Sequence, residues 1–320
     1  MRDNPENPNH PGSHPYRYTI SYGKARVPVY RVYATPLTGI PAIPESSFTG
    51  RDNILFAAEI DVEVFGENFL PAYTEGDNSN VVATDSMKNF ILRHALEFEG
   101  ATLEGYLDLL GHAFLATYPQ MERLRLSGRE IAFQQVQVPQ DRTGRFGNSD
   151  RLYHRSNDDY SEARMDFAYE QGVTKTTAHS CGRVGMQLLK VTGSAFTHFV
   201  RDDYTTLPER GDRPLYIYLD AHWSYNDVAD IQERYIPGEQ VRDVTSVVFH
   251  EFVSESIQHL LHEMGKRLLA RFPQMAEISF SGQNRTRDPV AVSETDSKRK
   301  VYSDPFPAYG SIRLKMARQT

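Results

Sequence analysis

Leu110-Gly111-His112-Ala113-Phe114-Leu115-Ala116-Thr117-Tyr118-Pro119-Gln120-Met121 aligns without a gap on Met264-Gly265-Lys266-Arg267-Leu268-Leu269-Ala270-Arg271-Phe272-Pro273-Gln274-Met275, and at the same offset Ser127-Gly128 falls on Ser281-Gly282. Self-similarity at a fixed offset marks a duplicated structural unit. The pattern around the two copies recurs as well. Ahead of the first copy, apolar residues alternate over 16–33 around Gly23-Lys24, which reads as a hairpin, and again over 54–64, a strand. Helical spacing follows over 86–97 and 102–117. The second of these carries Leu103, Tyr106, Leu107, Leu110, Phe114 and Leu115 on one stripe and stops at Tyr118-Pro119. Residues 123–133 alternate as a strand. Around the second copy the order returns: strands at 163–169, 184–191 and 215–225, helices at 241–252 and 254–272, and a strand at 275–280.

The fold class is therefore α+β, a tandem pair of strand-strand-helix-helix-strand units, each an antiparallel sheet with a helix pair on one face. The units are drawn at 16–150 and 160–290, with a polar linker over 140–159 and a tail over 291–320. Residues 1–15, with four prolines among polar residues, are too poor in apolar surface to offset their ordering entropy and are expected to be a disordered leader. Such a sheet has bare edges and one uncovered face, so side-by-side association into a larger β ring, as a homo-oligomer, is expected.

Composition narrows the function. The 320 residues hold 42 acidic against 35 basic side chains, a net charge of −7, which argues against nucleic acid as a partner. No apolar run reaches the roughly 18 residues a membrane span needs. Neither an apolar signal-peptide core nor a peroxisomal ending is present, so the cytoplasm is the expected compartment. The single Cys181 rules out an internal disulfide and any Cys-rich metal site and reads as a buried thiol. The eleven histidines form no HExxH or HxH pair, and His259 with His262 lacks a third ligand nearby in sequence, so no metal is expected. Dinucleotide, P-loop and serine-hydrolase signatures are missing too.

The chemistry concentrates in Asp77-Asn78-Ser79-Asn80-Val81-Val82-Ala83-Thr84-Asp85-Ser86-Met87-Lys88-Asn89, which delivers a hydroxyl and a carboxylate to a strand end and a helix start. Alone, Thr84, Asp85 and Ser86 are good helix N-caps. This segment joins others in order: Tyr22-Gly23-Lys24, Ser194-Ala195-Phe196, Arg201-Asp202-Asp203-Tyr204-Thr205-Thr206-Leu207-Pro208-Glu209 with Asp212-Arg213 behind it, Ser256-Ile257-Gln258, and Gln283-Asn284-Arg285-Thr286. Together they resemble the signature of the cofactor-independent urate oxidases, over about residues 16–310.

The resemblance implies two tunnelling-fold (T-fold) units per chain, a homotetramer around a β-barrel tunnel, and active sites at subunit interfaces. Lys24, Thr84 and Asp85 would come from one chain, and Phe196, Arg213, Ile257, Gln258 and Asn284 from its neighbour. The substrates would be urate and dioxygen, the products 5-hydroxyisourate and hydrogen peroxide, with no metal or organic cofactor.

The residue types suit those roles. A planar guanidinium at Arg213 can grip adjacent ring nitrogen and carbonyl oxygen with two parallel donors. The Gln258 amide pairs with the opposite ring edge as donor and acceptor, and the Ile257 backbone N–H adds a fixed donor. Phe196 would stack on the purine, and Asp85 would hold the far edge chiefly through its backbone amide. Lys24 and Thr84 would relay a proton, and Asn284 would hold dioxygen or water over the ring. A lysine, ordinarily with a pKa of about 10.4, serves as a base near neutrality only where desolvation or a neighbouring cation lowers it.

Thr286 stands where fungal and animal members have a histidine, as in the bacterial branch, so the third relay member stays open. Two other readings remain. One is a T-fold enzyme acting on a pterin, which would want a Glu anchor where Gln258 stands. The other is a purine-binding assembly protein that has lost the relay.

Overall fold

Strict alternation in Leu215–Tyr225 sends Leu215, Ile217, Leu219, Ala221, Trp223 and Tyr225 into the core and turns the residues between them toward the other face. That is the signature of a sheet covered on one side only. The computed structural model describes residues 16–141, 144–156, 159–285, 287–303 and 307–319. The expected leader and Thr286 lie outside the described residues. The elements in order are β1 (Tyr22–Val32), β2 (Leu55–Phe65), α1 (Leu70–Thr74), α2 (Thr84–Glu97), α3 (Leu103–Thr117), β3 (Arg123–Glu130), β4 (Phe133–Pro139), β5 (Phe146–Arg155) and β6 (Tyr160–Glu170). There follow β7 (Val173–Lys190), β8 (Leu215–Tyr225), α4 (Asp230–Glu233), α5 (Gly238–Glu251), α6 (Ile257–Arg271), β9 (Met275–Asn284), β10 (Pro289–Val292), β11 (Lys300–Tyr302) and β12 (Gly310–Ala317).

Eight strands form one antiparallel sheet in the order β1-β2-β3-β6-β7-β8-β9-β12. Among the described residues it does not close on itself: β1 and β12 are its two edges. The fold is the expected α+β one, with each helix pair on one face of its strands. The duplication is visible residue by residue, because α2 and α3 reappear as α5 and α6 at the offset that carries Leu110 to Met264. Thr102 caps α3 by accepting from Gly105 N–H, and Ser256 caps α6 by accepting from His259 N–H. The buried stripe Leu103, Tyr106, Leu107, Leu110, Phe114, Leu115 is matched by Ile257, Leu260, Leu261, Met264, Leu268, Leu269.

Three sequence expectations need correction. Residues 16–33 are not a hairpin: Tyr22–Val32 is one strand, with a β-bulge where the register slips between Lys24 and Val27. Gly23 lies against β2 because any Cβ there would come within 1.8 Å of the Val62 carbonyl oxygen. The polar segment 140–159 is only partly a linker, since Phe146–Arg155 pairs with Phe133–Pro139 as a separate ribbon. Residues 160–170, drawn with the second unit, hydrogen-bond to β3 on one side and to β7 on the other. Likewise Gly310–Ala317, drawn as tail, pairs with β9 along its whole length. In the main sheet each helix pair is followed by two strands, β3 and β6 after the first and β9 and β12 after the second.

The other face of the sheet is charged. Arg125 pairs with Asp166 at 2.8 Å, and His222 pairs with Glu162 at 2.7 Å and Arg129 with Glu59 along a concavity of about 650 Å³. No helix among the described residues is long and apolar enough to cross a membrane. Cys181 is buried, as expected.

The repeat supplies its own comparison for packing. A Cβ on Gly111 would meet the ring of fully buried Phe167 at 2.4 Å, whereas one on Gly265 would meet the flexible tip of Met316 at 2.5 Å. Gly111→Ala should therefore cost about 2 kcal/mol by overpacking, while Gly265→Ala should stay within about 1 kcal/mol of wild type because helix propensity offsets a small shift. Urea midpoints for the two variants check this, and equal losses would contradict it.

Candidate functional site

The first group of expected site residues gathers where β1 meets the start of α2. Tyr22 packs edge-on against Phe69, ring centroids 5.1 Å apart, and its hydroxyl accepts the Val82 N–H at 3.1 Å, tying the strand to the segment that enters the helix. Lys24 lies two residues further along β1, opposite Val62. Thr84 and Asp85 are not caps. The N-cap is Ala83, with extended backbone and no side-chain hydrogen bond, and Met87 N–H to Ala83 O is the first helical bond. The amides of Thr84, Asp85 and Ser86 therefore face outward at the positive end of the helix dipole. The Asp85 carboxylate accepts from Lys88 Nζ at 2.6 Å and Asn89 Nδ2 at 3.0 Å, and the Lys88 hydrogen bond holds its pKa below the usual range. With its carboxylate engaged along its own helix, Asp85 offers a ligand its main-chain N–H.

The second group gathers around Ser194. Ala195 N–H donates to Ser254 O at 2.7 Å, Arg213 N–H to Ser194 O at 2.8 Å, and Phe196 exchanges backbone hydrogen bonds with Arg210. The loop bearing Phe196 and Arg213 is thereby laced to the entry of α6, where Ile257 and Gln258 occupy the first turn. The Arg213 guanidinium stands 5.2 Å from the Phe196 ring centroid, and burial lowers its pKa. Phe199 stacks on Phe196 at 4.8 Å and 12°, a neighbour that sequence reasoning missed. Asn284 ends β9 opposite Ile217, near the start of the strand that follows this loop.

These two groups do not meet within one chain. β1 and β9 stand six strand spacings apart in the sheet order, roughly 29 Å along its surface at about 4.8 Å per strand. Among the described residues, no three His, Cys, Asp or Glu side chains gather as a metal cluster.

A counterpart of the site does assemble inside the chain, where the two units join. Arg183 holds the bulge position on β7 that Lys24 holds on β1, each pairing just before a slip of register. Gly238 and Glu239 match Thr84 and Asp85, the Leu37–Arg51 bridge matches Phe196–Arg210, Leu103 and Glu104 match Ile257 and Gln258, and Glu130 matches Asn284. Here the two halves face each other and are locked together. Arg51 bonds Glu130 at 2.6 Å and Glu239 at 3.2 Å, while Arg183 pairs with Asp159 and reaches Glu130 at 3.7 Å. Sequence reasoning missed this cluster, although the offset of the repeat points straight from Gln258 to Glu104 and from Asn284 to Glu130.

Such a chain is a duplicated α+β protein that builds one polar junction internally and carries the matching positions as two separate groups near its opposite edges. Comparison with known proteins gives the family. The family model described as Uricase matches residues 56–163 and 179–313. The uricase of Haloferax volcanii is 47% identical over 303 residues, covering 93% of this chain and 98% of that protein. The uric acid degradation bifunctional protein of Bacillus subtilis is 44% identical over 306 residues, 94% of this chain and 61% of that longer protein. Among solved structures, a uricase from Bacillus fastidious superposes with a TM-score of 0.91 at 42% identity, covering 94% of each chain. The urate oxidase of Bacillus sp. TB-90 superposes with a TM-score of 0.90 at 40% identity, covering 93% of this chain and all of that one. The chain belongs to the uricase family.

Burial pushes the carboxyl of Glu104 up to about 7, next to the buried Cys181 thiol. The folded protein then keeps a proton that the unfolded chain releases near pH 4.5, so this group removes stability as pH rises from about 4.5 to 7, by about 3 kcal/mol in all. Glu104→Gln should be nearly neutral at pH 5 and stabilising at pH 8. Melting curves at the two pH values check this, and a stability gain independent of pH would contradict it.

Proposed function

We propose that the protein is a urate oxidase, catalysing urate + O2 + H2O → 5-hydroxyisourate + H2O2, in purine degradation toward allantoin, without a metal or organic cofactor. In this reading it consists of two T-fold units, residues 22–170 and 173–317, and works as a homotetramer. Its charged sheet faces line the tunnel, and its active sites lie where β1 and α2 of one chain approach the Phe196–Arg213 loop and α6 of another. With its one cysteine buried and unpaired, a cytoplasmic setting fits.

The observation that carries the reading is the separation of the site residues into two groups. Each is built on a helix start, and each matches one half of the junction that closes inside the chain. A second copy is what would bring them together. Membership of the uricase family supports the substrate.

The division of labour follows from the donors. Arg213 and Gln258 grip opposite edges of the flat anion, with the Ile257 and Asp85 amides as fixed donors. Phe196 lies against the ring. Oxidation of the bound substrate by dioxygen needs a proton removed and the resulting dianion held. Lys24 takes that proton and Thr84 passes it on, which is general base catalysis on a pre-oriented substrate. Asn284 holds dioxygen, then water, above the ring. The net change is balanced: the purine loses two electrons and gains a hydroxyl at C5 from water, and dioxygen takes up the electrons with two protons.

The test is loss of urate's ultraviolet absorbance with coupled peroxide detection, using protein exhaustively treated with chelator. Oxygen-dependent turnover is expected. Lys24→Met should lower kcat by about 100-fold or more with urate still bound, and Arg213→Lys should raise KM by about tenfold or more. Binding without turnover in the wild type would favour a purine-binding assembly protein, and unaltered turnover in Lys24→Met would remove Lys24 from its role.

A further inference from the structure

A β-strand presents alternate residues to opposite faces, so Lys24 and Val27, three apart, belong on opposite sides of a regular strand. In this chain they share a side. Lys24 pairs with Val62 and Val27 with Ile60, three steps on β1 against two on β2. Val62, Ile60 and Val27 are all buried beneath the helix layer. One extra residue in the bulge keeps Lys24 on the face where α2 begins. With the same residues in unbroken register, Lys24 would fall opposite Glu63 and turn to the charged open face, away from Thr84.

The bulge has a specific brace. Arg26 takes a left-handed backbone conformation, φ +57°, which a side-chain-bearing residue adopts only when its surroundings hold it there. Its N–H donates to Asp61 Oδ1 of β2 at 2.5 Å. The second unit repeats the device with other residues. Gly185, φ +78°, donates its N–H to Asp220 Oδ1 at 2.8 Å, and Arg183 holds the place of Lys24. There the outcome is visible: Arg183 stays on the helix side and lies against Gly238, whose added Cβ would touch its Cδ at 3.3 Å. Gly238 is the counterpart of Thr84. The aspartate and the left-handed residue recur although the functional side chain differs, so the bulge itself is the common element.

We infer that Asp61 is a positioning residue for Lys24, its carboxylate pinning the Arg26 amide so that the bulge directs the Lys24 amine toward Thr84. The inference rests on the urate oxidase reading. In the first unit the left-handed position is filled by an arginine rather than a glycine, so the brace matters more there than in the second.

The experiment compares kcat, KM for urate, the pH profile of kcat and melting temperature across wild type, Lys24→Met, Asp61→Ala, Asp61→Asn and Asp220→Ala. Asp61→Ala is expected to lower kcat at least about tenfold and shift the acidic limb of its pH profile, with KM within about threefold, because the proton-handling half moves while the gripping half stays. Asp61→Asn keeps an acceptor oxygen and should recover most of kcat. Asp220→Ala removes the matching brace from the internal junction and should leave kcat within about twofold of wild type, whatever it does to melting. Should Asp61→Ala not fold, the double variant Asp61→Ala with Arg26→Gly takes its place, since glycine accepts the left-handed backbone unaided. This variant should fold and keep more than half of wild-type kcat. The inference is overturned if Asp61→Ala keeps full kcat, if Asp61→Asn is no better than Ala, if Asp220→Ala loses kcat equally, or if the double variant folds without activity. A Lys24→Met protein that turns over normally would instead overturn the reading on which the inference stands.

Discussion

The pairing of β6 with β7 decides what the rest of the molecule can be. Glu170 lies opposite Val173, and the two residues between them, Gln171 and Gly172, both take positive φ, the tight turn whose twist suits a hairpin. From that turn the two strands hydrogen-bond out to Tyr160 and Val184, fusing the strands of the first helix pair edge to edge with those of the second. One junction between the repeats becomes internal and permanent. The edges β1 and β12 are left at the ends of an eight-stranded sheet, and edges of that length are normally covered or paired.

Duplication and fusion explain why one chain holds two versions of the same constellation with opposite fates. At the internal junction the facing halves never separate, and their polar side chains pair with one another. Arg51, Glu130, Arg183, Glu239 and Asp159 form a linked set of ion pairs. Near the outer edges the counterparts of Arg183, Glu130 and Arg51 are Lys24, Asn284 and Arg210, and the carboxylate of Asp85, the counterpart of Glu239, is tied to its own helix rather than to a facing partner. Buried charges need partners where they cannot reach water. Under the proposed function, the outer positions would instead supply donors and acceptors to a substrate. The same backbone frame, with its bulge, its capped helix and its bridged loop, serves both.

Much of this frame can be read from the letters alone, because helix stripes and their caps are local. The apolar stripe of 102–117 and its copy at 254–272 fall within three residues of the ends of α3 and α6, which Thr102 and Ser256 cap. What failed was non-local. Gly23 looked like a turn residue, yet it is there because β2 passes too close for a side chain, a fact that lives in the register of β1 against β2. Residues 146–155 looked like a linker because both faces of the ribbon they form are largely exposed, so no alternation of apolar residues betrays it. The candidate residues were named from a signature. Their separation into two clusters depends on strand order, which one sequence does not spell out. The bulge that turns Lys24 toward α2 was invisible for the same reason.

The central claim is that an active site needs one half from each of two chains. Co-expression of a Lys24→Met chain with an Arg213→Ala chain, each inactive alone, tests it most directly. Random pairing of equal amounts should leave about one quarter of the sites with both wild-type halves, so the mixed oligomer should recover about a quarter of wild-type turnover. No recovery in a demonstrated mixed oligomer would contradict the account, because it would mean that both groups of residues act within the same chain.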